Sequence, residues 1–293
     1  MKIKEIFESK KTVISLEVFP PKITSPVETV FHTLDELKDL NPDFISVTYG
    51  AGGKAKDRTI EIAAKIKNDY GIESLAHLTC ISATKEDMKE NFKELKANNL
   101  ENVLAMRGDI PEDPDFEFPN PLQYEHARDL IREVAAEGGF SIGAACYPEG
   151  HVECESKAKD IKFLKEKVNN GAEFLISQLF FDNELFYRFM EEVDIAGIDV
   201  PVSAGIMPVL NKKQIVRITK LAGCAIPPKF QRILDRYEHN PQALKEAGEA
   251  YAIEQMIDLL AWGVRGIHLY TMNKSDTAKR IMGNLDNIRK LQG

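Results

Sequence analysis

Glu17 lies in the run Val13-Ile14-Ser15-Leu16-Glu17-Val18-Phe19-Pro20-Pro21, a carboxylate within an otherwise apolar stretch that stops at two prolines. Desolvating an unpaired carboxylate costs on the order of several kcal/mol, so an acid held there with a raised pKa is a candidate proton donor. Strand alternation also allows a Glu on a solvated face, and this segment alone does not choose. Arg107-Gly108-Asp109 is the next chemically informative group. Its guanidinium can fork onto a phosphate or carboxylate, its glycine permits close backbone approach, and its aspartate can stabilise a nearby cation. A tight turn with an internal ion pair explains the same three residues. Lys157, Lys159, Asp160 and Lys167 surround an expected helix start, where they either meet phosphates or form a solvated face.

Several chemistries are disfavoured. No G-x-G-x-x-G follows the first expected strand and no G-x-x-x-x-G-K-[ST] occurs, which argues against a Rossmann or P-loop nucleotide site. Cys154 lies close to His151 and Glu153, but one thiol and one imidazole without further ligands do not make a metal site. The net charge of -8 disfavours nucleic acid or an anionic membrane as the main partner. Cys80, Cys146, Cys154 and Cys224 are scattered, as free thiols of a reducing cytosol would be. Met1 to Ile6 lacks the apolar core of a signal peptide, and no stretch reaches the length of a membrane span. A cytoplasmic protein is expected.

The elements that must position these residues alternate along the whole chain. Expected strands are Thr12–Phe19, Phe44–Thr48, Ser74–Thr79, Asn102–Met106, Ser141–Cys146, Phe174–Gln178, Val202–Gly205 and Gly266–Leu269, each followed by a helical pattern. That repeat predicts an α/β fold of the (β/α)8 TIM-barrel type. Val27, Val30, Phe31, Leu34, Leu37 and Leu40 mark one helix, with Ser25-Pro26 as its start signal. Ile161, Leu164 and Val168 mark another that ends at Gly171, and Ala250, Ile253, Met256, Ile257 and Leu260 a third. A short extra helix is expected between about Pro227 and Pro241, and the acidic run Pro111–Pro121 reads as a loop at the barrel mouth. In such a barrel chemistry gathers where strands end. Those ends deliver Glu17, Thr48-Tyr49-Gly50-Ala51, His77, Arg107-Gly108-Asp109, Tyr147-Pro148-Glu149, Gln178, Gly205-Ile206-Met207-Pro208 and Tyr270-Thr271. His77 alone reads as a structural histidine and Gln178 alone as a loop cap, so their shared position carries the functional reading.

Leu16-Glu17-Val18-Phe19-Pro20-Pro21-Lys22, Ser46-Val47-Thr48-Tyr49-Gly50-Ala51, His77-Leu78-Thr79-Cys80, Ala105-Met106-Arg107-Gly108-Asp109, Tyr147-Pro148-Glu149-Gly150-His151, Gln178-Leu179-Phe180-Phe181-Asp182 and Gly205-Ile206-Met207-Pro208-Val209 together resemble methylenetetrahydrofolate reductase of the bacterial, catalytic-domain type. They follow the family's order and cover nearly the whole chain. The resemblance implies a single barrel over 1–293 without a regulatory domain, and non-covalent FAD at its C-terminal mouth. It further implies ping-pong transfer from NADH or NADPH through the flavin to 5,10-methylenetetrahydrofolate, a step of one-carbon metabolism and methionine biosynthesis.

Carried across, Glu17 matches the general acid, Asp109 the carboxylate that supports the cationic folate and tunes the flavin, and Gln178 the residue touching folate and nicotinamide. Thr48, His77, Arg107, Gly108, Asp109, Ala127, Tyr147, His151, Asp160 and Lys167 match flavin-contacting positions, and Tyr270 and Lys274 fall at substrate-contacting ones. The chain departs from the pattern at Lys212 (an aromatic residue in better-known members), at Lys274 (arginine), at Phe163 and Glu166 (asparagine and arginine) and at His126 (tyrosine). These changes bear on flavin and donor contacts. Some anaerobic members take electrons from partner proteins, which is the alternative donor. The resemblance also implies a homo-oligomer, while the lack of H-E-x-x-H or comparable ligand spacing leads to no expected metal. A flavin-free barrel lyase or folate-binding module is a more remote alternative. A Schiff-base lyase needs a desolvated lysine at a strand end, and no expected strand ends in one.

Overall fold

The computed structural model describes residues 1–22, 24–49, 56–110 and 116–291, without the side chains of Lys56 and Asp57. Gly50-Ala51 after the second strand and residues 111–115 of the acidic loop lie outside the described residues. Eight parallel strands close into a barrel in chain order: β1 (Val13–Val18), β2 (Phe44–Val47), β3 (Glu73–Thr79), β4 (Asn102–Met106), β5 (Ser141–Cys146), β6 (Phe174–Ser177), β7 (Val202–Ile206) and β8 (Gly266–Tyr270). The register Ser15↔His268 and Glu17↔Tyr270 between β1 and β8 completes the circle. The expected (β/α)8 fold is observed, with strand bounds shifted by at most one residue. Phe19 drops out of β1 because its N–H donates to the Asn273 side chain at 3.1 Å.

Strand alternation sorts the side chains. Along β1, Ile14, Leu16 and Val18 point outward into the apolar layer under the helices. Val13, Ser15 and Glu17 share the opposite, inner face. The helices over the outer face are α2 (Glu28–Leu37), α3 (Lys56–Asn68), α4 (Lys85–Ala97), α5 (Ala127–Glu137), α6 (Lys157–Asn169), α7 (Asn183–Ile195) and α8 (Lys212–Ala222). The expected extra helix is α9 (Pro228–Tyr237), followed by α10 (Pro241–Trp262), α11 (Ser275–Gly283) and α12 (Asp286–Lys290). In α10 the expected stripe is corrected: Met256 and Leu260 are buried, but Ala250 and Ile257 face outward while Leu244, Ala252 and Leu259 complete the packed face. A helix apolar over much of its circumference leaves that choice to its neighbours.

The helix before β1 has no counterpart among the expected elements. Helix α1 (Ile3–Ser9) closes the bottom of the barrel, burying Ile3, Ile6 and Phe7 against Val13, Phe44, Leu75, Leu104, Phe174 and Ile176. Phe7 meets Phe174 with ring centroids 5.8 Å apart. The Ile3 N–H donates to Asn102 Oδ1 at 2.7 Å, satisfying a free donor of the helix start, and the Arg265 guanidinium donates to the Phe7 carbonyl at 2.5 Å. A hydrophobic plug below therefore supports a polar interior above. Phe7→Ala should destabilise the fold by about 3–5 kcal/mol through the cavity it leaves. Urea denaturation checks this, and a change below about 1 kcal/mol would show that α1 is not part of the cooperative core.

Candidate active site

The upper interior of the barrel is polar, and β1, β2, β3 and β8 build it. Glu17 stands one pleat above Ser15 on β1, with its side chain 15% exposed. Closure of the barrel sets β8 beside it, so His268, completely buried, places Nε2 3.2 Å from Glu17 Oε2. The other ring nitrogen of His268, Nδ1, lies 2.7 Å from Ser15 Oγ. On the far side His77 approaches from β3, its Nε2 2.6 Å from Ser46 Oγ and 3.6 Å from the same Glu17 oxygen. Burial is the main reason the His77 pKa falls to about 4; the Glu17 charge opposes the fall and His268 adds to it. The expectation of an acid in apolar surroundings is thus corrected: the outward half of β1 is apolar, but Glu17 shares the inner face with serines and imidazoles. Its Oε1 has no hydrogen-bond partner among the described residues.

Tyr270, next inward-facing on β8, crosses the interior and donates its hydroxyl to the Ser177 carbonyl of β6 at 2.9 Å. Its pKa is raised well above the usual phenol value, by burial first and by the Glu17 charge second. Gly205 on β7 makes room for this crossing, since a Cβ there would lie 2.9 Å from the Tyr270 ring and hydroxyl and would collide with the Ser177 carbonyl. Gln178 sits just beyond β6, its Oε1 accepting from the Leu179 N–H at 2.9 Å. That contact uses the acceptor and leaves the amide NH2 to donate elsewhere.

The remaining expected residues line the rim of β2 to β6. Thr48 is half-buried after β2 and Asp109 is exposed after β4. Arg107 forks onto Glu153, Nη1 to Oε2 at 2.5 Å and Nη2 to Oε1 at 3.1 Å, an ion pair with the next loop, not with Asp109. Hydrogen bonding to Glu153 raises the Arg107 pKa more than burial lowers it. Gly108 adopts φ +86°, a conformation that side chains rarely take, and a Cβ there would meet Thr79 at 2.8 Å. Tyr147 and His151 meet edge to face with centroids 4.6 Å apart, and the Lys167 ammonium lies 5.6 Å from the Tyr147 ring centre. Lys167 donates to the Ala145 carbonyl at 2.8 Å, and burial lowers its pKa. Asp160 accepts from the His151 N–H at 3.2 Å, and burial raises its pKa.

Ala127 opens α5 directly after His126, which lies at the helix's N-cap. Phe163 and Glu166 of α6 both engage one residue of α5: Arg128 pairs with Glu166 at 2.6 Å and lies 5.8 Å from the Phe163 ring centre. Lys212 opens α8 and binds Asp235, at 3.0 Å, and Glu238, so its ammonium is engaged with the α9 region. Lys274 is exposed before α11, beyond β8.

The structure therefore gathers Glu17, His77 and Tyr270 in the interior, with Gln178 and the β2–β6 residues around the rim. Sequence reasoning missed His268, Ser15 and Ser46. The signal was present as phase, because His268 lies two residues before Tyr270 on an alternating strand. Its proximity to Glu17 comes only from barrel closure. Among the described residues, no group of three or more His, Cys, Asp or Glu side chains could hold a metal ion, and no helix is long and apolar enough to cross a membrane.

Comparison with known proteins accords with this arrangement. The chain is 35% identical over 272 residues to 5,10-methylenetetrahydrofolate reductase of Escherichia coli, covering 93% of this chain and 90% of that protein. It is 35% identical over 295 residues to methylenetetrahydrofolate reductase (NADH) 1 of Arabidopsis thaliana, but spans only 50% of that longer protein. Among solved structures, an uncharacterized protein from Clostridium thermocellum that binds two copies of 5-methyl-5,6,7,8-tetrahydrofolic acid superposes with a TM-score of 0.68 at 12% identity, over 99% of this chain and 100% of that one. At that identity the likeness is one of fold. Residues 2–286 match the methylenetetrahydrofolate reductase family, and with the bacterial relative covered almost end to end, the chain belongs to that family.

Proposed function

We propose that this chain reduces 5,10-methylenetetrahydrofolate to 5-methyltetrahydrofolate, with FAD as its cofactor and NADH or NADPH as the electron source. The observation that carries the reading is the Glu17 carboxyl, engaged on one oxygen by an imidazole and, among the described residues, unengaged on the other, at the mouth of a barrel of this family. The rim residues fit a flavin dinucleotide in kind. Thr48, His77, Tyr147 and the Gly108 backbone suit a polar ring edge, Arg107 and Lys167 a diphosphate, and His151 and Asp160 sugar hydroxyls, with Asp109 nearby and Ala127 on the adenosine side. They lie at or just beyond the ends of β2 to β5 and on the neighbouring helices α5 and α6, a run suited to an elongated ligand. Bound there, the flavin would supply the hydride chemistry.

The protein's own part is protonic and electrostatic. Glu17 donates its proton to a folate nitrogen, so that the five-membered ring opens to a cationic iminium. General acid catalysis of this kind contributes roughly 10²- to 10⁴-fold. Asp109, a carboxylate on the rim, lowers the energy of that cation. Gln178 directs its free NH2 toward the pterin, Tyr270 forms the floor beneath it, and Lys274 offers an exposed ammonium to the substrate's carboxylates.

The electron source has a second reading, favoured by one observation. The Lys212 ammonium is bound to Asp235 and Glu238, so this position presents no ring for a nicotinamide to stack on. A partner protein could deliver electrons instead. Anaerobic mixing of the isolated chain with NADH and NADPH separates the two: bleaching of the flavin absorbance supports a pyridine nucleotide, and its absence supports the partner.

Purified chain titrated with FAD should bind about one equivalent; failure to bind overturns the flavin assignment. Glu17→Gln should slow the folate half-reaction by roughly 10²- to 10⁴-fold while leaving flavin reduction by the donor within a few-fold. Equal loss in both halves would make Glu17 a structural residue. Asp109→Asn removes a negative charge and should move the flavin potential in the positive direction while slowing folate reduction. An unchanged potential in a redox titration would exclude tuning by this carboxylate.

A further inference from the structure

Residues 212–237, which form α8, α9 and the turn between them, carry seven lysines and arginines and a single acid, Asp235, in a chain whose net charge is -8. Lys212 is paired with Asp235 and Glu238, and Lys229 with Glu254 on α10. Lys213, Arg217, Lys220, Arg232 and Arg236 are exposed and have no ion-pair partner among the described residues. Along α8, steps of four and three residues put Lys213, Arg217 and Lys220 on one face, over about 10 Å of helix. Arg232 and Arg236 share a face of α9 by the same rule. On the flavin side of the rim, Arg107 and Arg128 are each matched by a glutamate. This face is not.

The two helices stand beside the mouth. Ile215 of α8 and Phe230 and Leu234 of α9 pack in one apolar cluster with Phe181, beyond β6, and Met207, beyond β7. The Lys212 contacts set the start of α8 beside the end of α9, so the pair runs antiparallel. Its connecting turn is moored to the loop beyond β5. There the Ala225 N–H donates to Glu149 Oε2 at 2.9 Å, and a Cβ on Gly223 would lie 2.3 Å from Val152. With one face of each helix buried, the basic faces turn outward along the β5 to β7 side of the rim.

The flavin reading fills the rim from β2 to β5 with α5 and α6. A folate whose pterin lies over Glu17 therefore leaves the mouth on the other side, past Gln178, the end of β7 and the exposed Lys274. The first glutamate of a folate carries two carboxylates, and each further γ-linked glutamate adds one. Building on folate as the substrate, we infer that the α8–α9 face binds the poly-γ-glutamate tail of that folate. Lys213, Arg217 and Lys220 form its track, with Arg232 and Arg236 beside them. The row presents a local potential opposite in sign to the net charge of the chain. Each exposed ion pair contributes little alone, so the discrimination comes from their number. Tethering favours this occupant over a free acidic protein: the pterin, once bound, holds the tail at high effective concentration, and weak contacts then suffice.

The test is calorimetric titration of the full chain, loaded with FAD, with 5-methyltetrahydrofolate carrying one or five glutamates. At low ionic strength the pentaglutamyl form should bind roughly 10- to 100-fold more tightly. Raising the salt should shrink that ratio, because exposed charges are screened over about 10 Å at 0.1 M. K213Q/R217Q/K220Q should remove most of the ratio while leaving monoglutamyl binding within about two-fold. K89Q/K93Q, a similar change at exposed positions of α4, should preserve it. Equal affinities of the wild-type chain for the two forms would overturn the inference, and that measurement needs no variant. A length preference that survives both salt and the triple substitution would also overturn it, leaving the basic face to an acidic protein. Failure of both forms to bind would refute the folate reading and the inference with it. Length-dependent binding without turnover would refute the proposed reaction while leaving the tail site standing.

Discussion

A carboxyl group in the closed interior of a barrel needs a hydrogen-bonding partner, and the His268 to Glu17 contact supplies it. Burying a charged oxygen without compensation costs on the order of several kcal/mol, comparable to a large part of a domain's net stability. Much of the upper barrel can be understood as accommodation of that one group. Ser15 orients the imidazole, Phe44 stacks on it, Tyr270 meets it edge to face, and Gly205 clears the path by which Tyr270 reaches β6. His77 and Ser46 close the opposite side with a second bonded pair. Burial keeps His77 uncharged near neutral pH, so the Glu17 oxygen is flanked there by a dipole, not a cation.

The rim follows a different physical rule. Its charges are largely matched to one another: Arg107 with Glu153, Arg128 with Glu166, and Lys212 with Asp235 and Glu238. Partly exposed pairs such as these contribute little to stability. A bound anion could exchange places with such a carboxylate partner at modest cost, whereas nothing in the interior could be displaced so easily. The site thus combines a fixed acid with an adaptable binding surface.

Much of the fold was legible because it is written in local pattern. Eight β-branched or apolar runs followed by helical stretches predicted the barrel, and Pro227 and Pro241 framed α9. Strand ends named Glu17, His77, Arg107, Gln178 and Tyr270, since a parallel barrel gathers strand ends at one mouth. What local pattern could not convey was partnership. Glu17 and His268 are 251 residues apart and Arg107 and Glu153 are 46 apart, and closure or loop folding alone makes them neighbours. The apolar appearance of β1 misled for a related reason: its hydrophobic residues belong to the outer face and say little about the inner one. Helix α1 escaped notice because seven residues give too short a window for periodicity, and its role depends on a floor built by distant strands.

That floor has a consequence for how the molecule is made. Residues Ile3 to Ser9 leave the ribosome before the strands they brace, and several anchors arrive late: Asn102 on β4, Phe174 on β6 and Arg265 just before β8, the last 258 residues after its partner Phe7. Val13, Phe44, Leu75 and Leu104 are available early, but the contacts to Phe174 and Arg265 must wait until most of the barrel has been synthesised. Contacts of such long sequence separation slow folding and expose apolar surface meanwhile. A short amphipathic segment is well suited to that interval, because it has little apolar surface to aggregate. A segment translated ahead of the barrel becomes among the last to find its place.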